Sequence, residues 1–428
     1  MIDLQRLRKE ADWFRSAWQR RGLEVDVDAL LALDADVRQL KSQAENLRAE
    51  ANQASKAIGK IVREGGDIAA ARAEAGRLGD EAKALDDERQ GREADLQNRL
   101  MELPNPVQAA VPDGLDEHAN RVVRSWGEPP ELPCAAEPHW DIAPRLGLID
   151  FERGTRLSGS GFVVYTGLGA RLNRALINWF LDQLTGEHGY REHAVPILVR
   201  TQVMEGTGQL PKFADQSYAV PLDELHLIPT AEVPLTNLYA GEIFEAEQLP
   251  LRLTAHTPCF RREAGAAGVG TRGIQRVHQF DKVEMVQIVA PETSDAALET
   301  MTATAEDLLQ RLDLHYRVLE LCAGDTGFSS AHTYDLEVWS PGTGTWLEVS
   351  SCSNCEAFQA RRIPLRYRDS GKGKPEPVHT LNGSGLALPR VVIALLESNL
   401  QADGSVLLPS VLRPYLGGVE RLTPVETD

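Results

Sequence analysis

Pro258 to Val289 reads PCFRREAGAAGVGTRGIQRVHQFDKVEMVQIV. Two polar, strand-like runs flank a Gly/Ala-rich loop, Gly265 to Gly273. A period of two puts Arg261 and Glu263 on one face of the first run. It puts Arg276, His278, Phe280, Lys282 and Glu284 on one face of the second. A sheet face that alternates Arg, Phe, Lys and Glu is costly to bury without a ligand. An anionic, planar, stacking ligand satisfies it, and ATP has all three properties. The competing reading of these residues alone is a solvated strand face. Other nucleotide motifs are missing. There is no G-x-x-x-x-G-K-[ST], and Gly371-Lys372-Gly373-Lys374 has neither that spacing nor the helix. Gly167-x-Gly169 lacks the third glycine of a dinucleotide fingerprint. A nucleotide site here has to be built on antiparallel strands with arginines.

Downstream, Trp346-Leu347-Glu348-Val349-Ser350-Ser351 runs into SSCSNCEAFQARR, a polar stretch ending in Arg361-Arg362. Glu348 and Ser351 are oxygen donors of the kind Mg²⁺ prefers. Three residues apart on a flat strand they face opposite sides, so joint ligation needs a twist or bulge. NGSGLALPRVVIALLE, Asn382 to Glu397, turns on glycines into an apolar helix with Pro389 in its first turn and Arg390 just beyond. An arginine there opposes the helix dipole, so an anion is its natural partner. Upstream, Leu172, Ala175, Leu176, Trp179, Phe180 and Leu184 mark one helix face that stops at Gly186-Glu187-His188-Gly189. A strand-like segment, Tyr190 to Val199, follows, and its Pro196 argues for an edge or an end.

The first hundred residues read differently. Apolar or small residues recur at Leu30, Leu33, Val37, Leu40, Ala44, Leu47, Ala51, Ala54, Ile58 and Ile61 in steps of three and four, a coiled-coil seam. Asp26 and Asp28 are N-cap candidates. The seam breaks at Glu64-Gly65-Gly66-Asp67, where two glycines can take positive φ. It resumes at Ile68, Ala71, Ala75, Leu78, Ala82 and Leu85. So short a connection makes the second helix antiparallel to the first. The first helix, about Asp28 to Arg63, would be roughly 50 Å long, and a pair of that length is expected to project into solvent. Leu103-Pro104-Asn105-Pro106 is the clearest domain junction. Before the arm, Leu4, Leu7, Phe14 and Trp18 suggest one short amphipathic helix packed near its base. Dimerisation is the plain use of such heptads, but a hairpin pairs its own seam and leaves Lys56, Lys60 and Arg63 displayed near the tip. Those three could equally complement the helix dipole.

The 428 residues are 42% hydrophobic and 25% charged, as in a soluble globular chain of about two domains. No run of about 18 apolar residues occurs, and the charged start MIDLQRLRKEADWFRSAWQRRG is not a secretory signal, so a cytoplasmic location is expected. The net charge of −18 speaks against a polyanionic partner at first sight. Residues 1–103 carry only −3 of it, and Ala51 to Arg63 contain no acid at all, so a local basic patch survives. Five cysteines are too few and too odd for a disulfide scaffold. Cys352 and Cys355 form one C-x-x-C, half a zinc site or a redox pair on spacing alone. No second pair completes a tetrahedral set, and a strand-and-turn role is preferred, with no zinc expected.

Together these segments resemble the seryl-tRNA synthetases of bacterial type, which are class II aminoacyl-tRNA synthetases, over essentially the whole chain. The helix with the Pro196 strand, about 169–199, is similar to motif 1. FRRE…TRGIQRVHQFDKVE, within 258–289, is similar to motif 2, and NGSGLALPR with its helix, about 380–400, to motif 3. Thr230-Ala231-Glu232 in LIPTAEVPLT and the run VSSCSNCEAFQARR narrow the likeness to the serine enzymes. The resemblance implies an α+β chain. Residues 1–103 would be a two-helix coiled-coil arm (hairpin about 28–100, turn near 64–67) that grips tRNA. Residues 104–428 would be a catalytic domain on an antiparallel sheet flanked by helices. It implies homodimerisation through the motif 1 region, and no membrane partner. Residue by residue, it implies that Arg261 clamps the α-phosphate and the serine carboxylate, with Glu263 on the adenine side. Val277 and Phe280 would contact the adenine, while Arg390 stacks on its other face and touches the γ-phosphate. Arg262, Arg276, Val349 and Ser350 would line the nucleotide. Glu348 and Ser351 would hold the Mg²⁺ that accompanies ATP. Serine would meet Thr230, Ala231, Glu232, Arg261, Glu284, Asn382 and Ser384. Arg261, Glu348 and Arg390 would be the catalytic set. Lys56, Lys60 and Arg63 are candidate contacts to tRNA(Ser), and such enzymes also serve tRNA(Sec) where it exists. Val269-Gly270 departs from the charged or polar residues usual in that loop, which puts contacts to the tRNA acceptor end in doubt.

The implied chemistry is in-line attack of the serine carboxylate on the α-phosphate, then transfer of the acyl group to the terminal ribose of tRNA. Neither step needs a protein nucleophile, so Cys352 and His278 are not expected to act as one. The alternative is a synthetase-like ligase that loads an amino acid onto a carrier protein; such relatives lack the arm. A catalytically dead scaffold would be expected to have lost Arg261, Glu348 or Arg390, and a zinc-dependent archaeal-type enzyme lacks its metal set here.

Overall fold

The structure is a computed structural model and describes residues 1–263, 272–369 and 373–425. It divides into two compact units. One comprises Ile2–Gln19 and Leu23–Leu103, and the other Pro104–Asp428 with Met1 and Arg20–Gly22.

In the first unit four helices follow one another: α1 (Leu4–Lys9), α2 (Ala11–Arg20), α3 (Val27–Glu64) and α4 (Ile68–Met101). The amphipathic run at the start is therefore two helices rather than one. Asp3 caps the first by accepting from Gln5 and Arg6 N–H, and the chain breaks at Glu10. Asp26 caps α3 by accepting from the Ala29 N–H, while Asp28 lies in the first turn. Of the two glycines at the reversal only Gly65 is left-handed, φ +71°, and Asp67 then caps α4. Every seam position from Leu30 to Ile61 and from Ile68 to Leu85 is shielded while its neighbours are mostly exposed. Full burial is confined to Leu30, Leu33, Ala44, Leu78, Ala82, Leu96 and Leu100 among the apolar residues from Leu30 onward. Across the hairpin Arg48 meets Asp86 at 2.7 Å, and Arg92 meets Asp36 at 3.1 Å. Asp34, buried on α3, takes both arms of Arg8 at 2.7 and 2.6 Å and is also reached by Arg38 at 3.1 Å. Burial pushes its carboxyl up, but the hydrogen bonds from Arg8 and Arg38 outweigh that and hold it below its usual value.

In the second unit the main sheet has eight strands among the described residues. In chain order these are β1 (Arg121–Trp126), β2 (Arg191–Glu192), β3 (Leu251–Phe260), β4 (Gln279–Val289), β5 (Tyr316–Glu320), β6 (His332–Ser340), β7 (Thr345–Asn354) and β8 (His379–Ala387). Their spatial order is β1-β5-β6-β7-β8-β4-β3-β2, antiparallel except for β2 beside β3. The segment around Pro196 is not one strand. Its start is the edge strand β2, and Leu198–Arg200 belongs to a separate three-stranded sheet. This agrees with a proline that cannot donate to a ladder.

Period two on β4 sorts its side chains between two cores. Val283, Met285 and Val289 enter the larger cluster with α6 (Gly167–Gly186), α8 (Ser294–Arg311) and α9 (Leu388–Ser398), whose apolar faces are buried there. Among the unit's short helices are α5 (His139–Arg145), which precedes α6, and α7 (Glu232–Asn237), which lies between α6 and α8. Val286 and Ile288 point the other way, into a smaller cluster with Leu253, Ala255, Ala231 and Leu235. Each of these aliphatic side chains contributes about 1.5–3 kcal/mol by burial, so the register of β4 is firmly set. Lys282 and Glu284 share the second face, opposite Thr257 and Ala255 of β3.

Asp34→Ala is expected to lower stability by about 2 kcal/mol, because it strands two arginines that now share a buried carboxylate. The contribution of a carboxyl held low is present above its unfolded pKa and is lost as pH falls through the folded value. The gap in thermal midpoint between wild type and variant should therefore close below about pH 4. A variant matching wild type at neutral pH contradicts this.

Candidate active site

β4 is the floor of the site, and the charged positions of its second face lie at one end of that floor. Lys282 and Glu284 are both buried, and Lys282 Nζ stands 2.5 Å from Glu284 Oε2. The same oxygen accepts from Thr230 Oγ1 at 3.1 Å, whereas Glu284 Oε1 is buried with no hydrogen-bond partner. Thr230 also accepts the Glu232 N–H at 3.2 Å. Glu232 begins α7, so its side chain is held at a fixed helical start. Its Oε1 accepts from Gln359 at 2.7 Å. Burial, with the Glu284 charge next, pushes the Glu232 carboxyl up to about 7.

Two cavities open on these residues, and Arg261 lines both. The smaller, ≈ 60 Å³, is walled by Glu263, Arg276, Val277, Phe280, Lys282, Glu348, Ser384 and Arg390. Ile274, Gln275, Ala387 and Pro389 complete it. The larger, ≈ 340 Å³, is lined by Thr230, Glu232 and Asn382, with Gln209, Phe213, Phe328, Ser330 and Cys355 among the rest. Glu284 stands between them, bonded to one residue of each. The Arg261 guanidinium lies 5.3 Å from the Phe280 ring centroid, a cation facing an aromatic surface.

Several residues sit differently from a simple period-two extension. β3 ends at Phe260, so Arg261 to Glu263 lie beyond the strand, and Glu263 turns the chain with φ +47°. Arg276 and His278 precede β4 rather than belonging to its face. Arg276 reaches Glu263 at 3.4 Å, and His278 bonds the Arg261 carbonyl at 3.1 Å while stacking on Phe162 at 5.1 Å. His278 is thus an anchor for the Arg261 backbone. Arg262 turns to the Tyr218 ring, 5.5 Å away, and Ala231 is packed in the smaller core; neither lines either of these two cavities. Val349 is in the large core and Ser350 Oγ donates to the Ser384 carbonyl at 2.6 Å. Lys282 was legible only as part of a charged face, yet it is the cation that meets Glu284. The cavity residues Gln209, Phe213 and Phe328 carried no sequence signal. Val269 and Gly270 lie outside the described residues.

The strand that carries Glu348 contains a bulge. In the β6–β7 ladder Glu337 opposes Glu348 and Leu336 opposes Ser350, so Val349 is an extra residue. That skip changes the facing of Glu348 relative to Ser351. Asp335 opposes Ser351, and its Oδ1 is buried without a hydrogen-bond partner. Burial and then the Glu348 charge raise its carboxyl well above the usual range. Oxygen donors with an orphaned carboxylate oxygen among them suit a hard divalent cation. Among the described residues no group of three or more His, Cys, Asp and Glu forms a metal cluster. Cys352 and Cys355 are buried free thiols, and burial pushes Cys352 up to about 12. Arg390, at the start of α9, donates to the Glu348 carbonyl at 2.6 Å and lies 3.5 Å from its carboxylate.

In the arm Lys56, Lys60 and Arg63 are all exposed. Lys60 is 3.8 Å from Glu64, and Arg63 donates to the Gly59 carbonyl at 3.1 Å.

An antiparallel sheet bearing a cleft of this kind, with arginines from a strand end and from a following helix, defines the catalytic core of a class II aminoacyl-tRNA synthetase. The model of the tRNA synthetase class II core domain (G, H, P, S and T) matches residues 218–399, and that of the seryl-tRNA synthetase N-terminal domain matches residues 1–107. The serine–tRNA ligase of Paraburkholderia phytofirmans is 51% identical over 428 residues, covering 99% of each chain. Seryl-tRNA synthetase from Pyrococcus horikoshii, complexed with ATP, superposes with a TM-score of 0.93 at 36% identity over 100% of both chains. Cytoplasmic serine–tRNA ligase from Naegleria fowleri, in complex with AMP, gives 0.86 at 26% over 97% of both. The chain belongs to the seryl-tRNA synthetase family. The carrier-protein alternative finds no support. No helix among the described residues is long and apolar enough to cross a membrane.

Glu232 is expected to titrate near neutrality. A protonated-carboxyl infrared band should disappear between about pH 6 and about pH 8 and be absent from Glu232→Gln. A band already gone at the lower pH contradicts the assignment.

Proposed function

We propose that this member of the seryl-tRNA synthetase family binds ATP in the smaller cavity and serine in the larger, with Arg261 at their junction. The observation that carries this division is that one guanidinium lines both. A group placed there can neutralise the α-phosphate and the serine carboxylate together, which is where charge develops during in-line attack. Phe280 and Val277 offer the adenine an apolar floor, with Glu263 at its edge and Arg390 above. Arg276 completes that surround, whereas Arg262, Val349 and Ser350 stay outside it. Arg390 now bonds Glu348, and nucleotide binding would exchange that carboxylate for phosphate.

Serine would meet Thr230, Glu232 and Glu284, with Asn382 completing its surround; Ser384 lines the smaller cavity instead, and Ala231 is packed in the core. Two carboxylates in one buried pocket suit an ammonium group, and Glu284 Oε1 lacks a donor until a ligand supplies one. Discrimination against alanine would then rest on hydrogen bonds to the hydroxyl, because groups left unpaired penalise the analogue. Glu348 and Ser351 would hold Mg²⁺, with Asp335 beside them. The ion would supply neutralisation of the phosphates. The second step passes serine to the 3′-terminal ribose of tRNA(Ser), with tRNA(Sec) a further substrate of the same kind. The arm would grip the tRNA through Lys56, Lys60 and Arg63. The proposed assembly is a cytoplasmic homodimer joined through the region of α6 and β2.

Arg261→Ala is expected to reduce serine-dependent ATP–pyrophosphate exchange by on the order of 10²–10³-fold or more. Exchange within threefold of wild type contradicts its role. Replacing Leu30–Leu96 by a short linker should leave exchange near normal and cripple tRNA charging. Collapse of both would make the arm structural rather than tRNA-binding.

A further inference from the structure

At its C-terminal end α9 carries a buried acid. Glu397, in its last turn, is 1% exposed, and so is His139, the first residue of α5. Glu397 Oε1 accepts both the His139 backbone N–H and its Nδ1, each at 2.9 Å. The other oxygen accepts from Ser340 Oγ and from the Gly342 N–H, the latter at 3.0 Å. With four donors the carboxylate is satisfied and has no need of a ligand.

The ring's far nitrogen is engaged as well. The Ile274 backbone N–H donates to His139 Nε2 at 3.1 Å. A backbone N–H can only donate, so Nε2 is an acceptor and the ring proton sits on Nδ1, facing Glu397. Ile274 follows directly on the Gly/Ala-rich loop. Gly273 before it has φ +66°, and a Cβ there would fall 2.0 Å from His139 Nε2. Arg272 lies over the neighbouring Trp140 ring at 5.9 Å. Three consecutive residues at this root of the loop are therefore seated on the start of α5.

The chain of contacts closes on itself. Ile274 and Gln275 line the smaller cavity, and the Gln275 carbonyl accepts from Arg390 Nε at 3.4 Å. Arg390 stands at the start of the helix whose end carries Glu397. We propose that His139, held in one tautomer by Glu397, is a positioning residue for the nucleotide half of the reaction. It fixes the Ile274–Gln275 wall and, through it, the Arg390 guanidinium, without touching substrate. The inference rests on the smaller cavity being the ATP site.

The test uses the full chain in serine-dependent ATP–pyrophosphate exchange, with KM measured separately for ATP and serine. Thermal midpoints are recorded alongside. His139→Asn keeps a donor toward Glu397 but leaves the Ile274 N–H without an acceptor, and should raise KM for ATP about tenfold or more. KM for serine should stay within about threefold of wild type. His139→Gln reaches Ile274 with its amide oxygen and should restore KM for ATP to within about threefold. Gly273→Ala attacks the same contact from the loop side and should repeat the ATP effect, which also decides the matter if His139→Asn does not fold. A folded His139→Asn with wild-type KM for ATP overturns the proposal. So does an equal rise in both KM values, a Gln variant as impaired as Asn, or an innocuous Gly273→Ala. Wild-type enzyme without any serine-dependent exchange would instead refute the assignment of the site itself.

Discussion

A glutamate can lie on the buried face of a central strand only if a cation meets it there. Lys282 does so for Glu284, two residues away on the same side of β4 at 2.5 Å. Removing either partner would leave an uncompensated charge, at a cost of about 3–5 kcal/mol. The opposite face of β4 is packed into the large core, so the strand cannot shift to expose the pair. The geometry of the cleft follows from this constraint. Thr230 is tied to Glu284, Glu232 follows Thr230 at the start of α7, and Glu284 Oε1 is left buried and unbonded.

The two arginines of the smaller cavity, Arg261 and Arg390, come from the ends of regular elements. Arg261 lies just past β3, and a positive φ at Glu263 swings the chain away after it. Arg390 sits in the first turn of α9, where its charge opposes the helix dipole and the Glu348 carboxylate now compensates it. The Arg261 N–H still donates to the His278 carbonyl at 3.0 Å, so the backbone is tied down while the side chain turns into the cleft. The bulge at Val349 serves the same end on β7, since it lets a core residue and cleft residues occupy one short stretch of strand.

Much of this was legible in the residues. The seam from Leu30 to Leu85 marked both long helices, because helical burial repeats on a short period that any window reveals. Pro196 marked an edge for a local reason, the missing N–H. Period two failed at Arg261 to Glu263 and at Arg276 to His278. Nothing in those residues says where the ladder ends, and polar side chains continue the alternation past it. One amphipathic run became α1 and α2 because a break at Glu10 preserves the apolar face. Gln209, Phe213 and Phe328 were invisible as cavity residues because their neighbours come from distant parts of the chain. The same is true of His139 and Glu397, which lie 258 positions apart and become meaningful only when α5 and α9 meet.

The central claim is that the two cavities are the halves of one reaction centre joined by Arg261. It is tested most directly by a crystal structure with a non-hydrolysable sulfamoyl analogue of seryl-adenylate. The account predicts the adenine against Phe280 and Arg390 and the sulfamoyl group on Arg261. It predicts the seryl ammonium and hydroxyl among Thr230, Glu232 and Glu284. An analogue lying wholly within one cavity, or bound with no contact to Arg261, would contradict it.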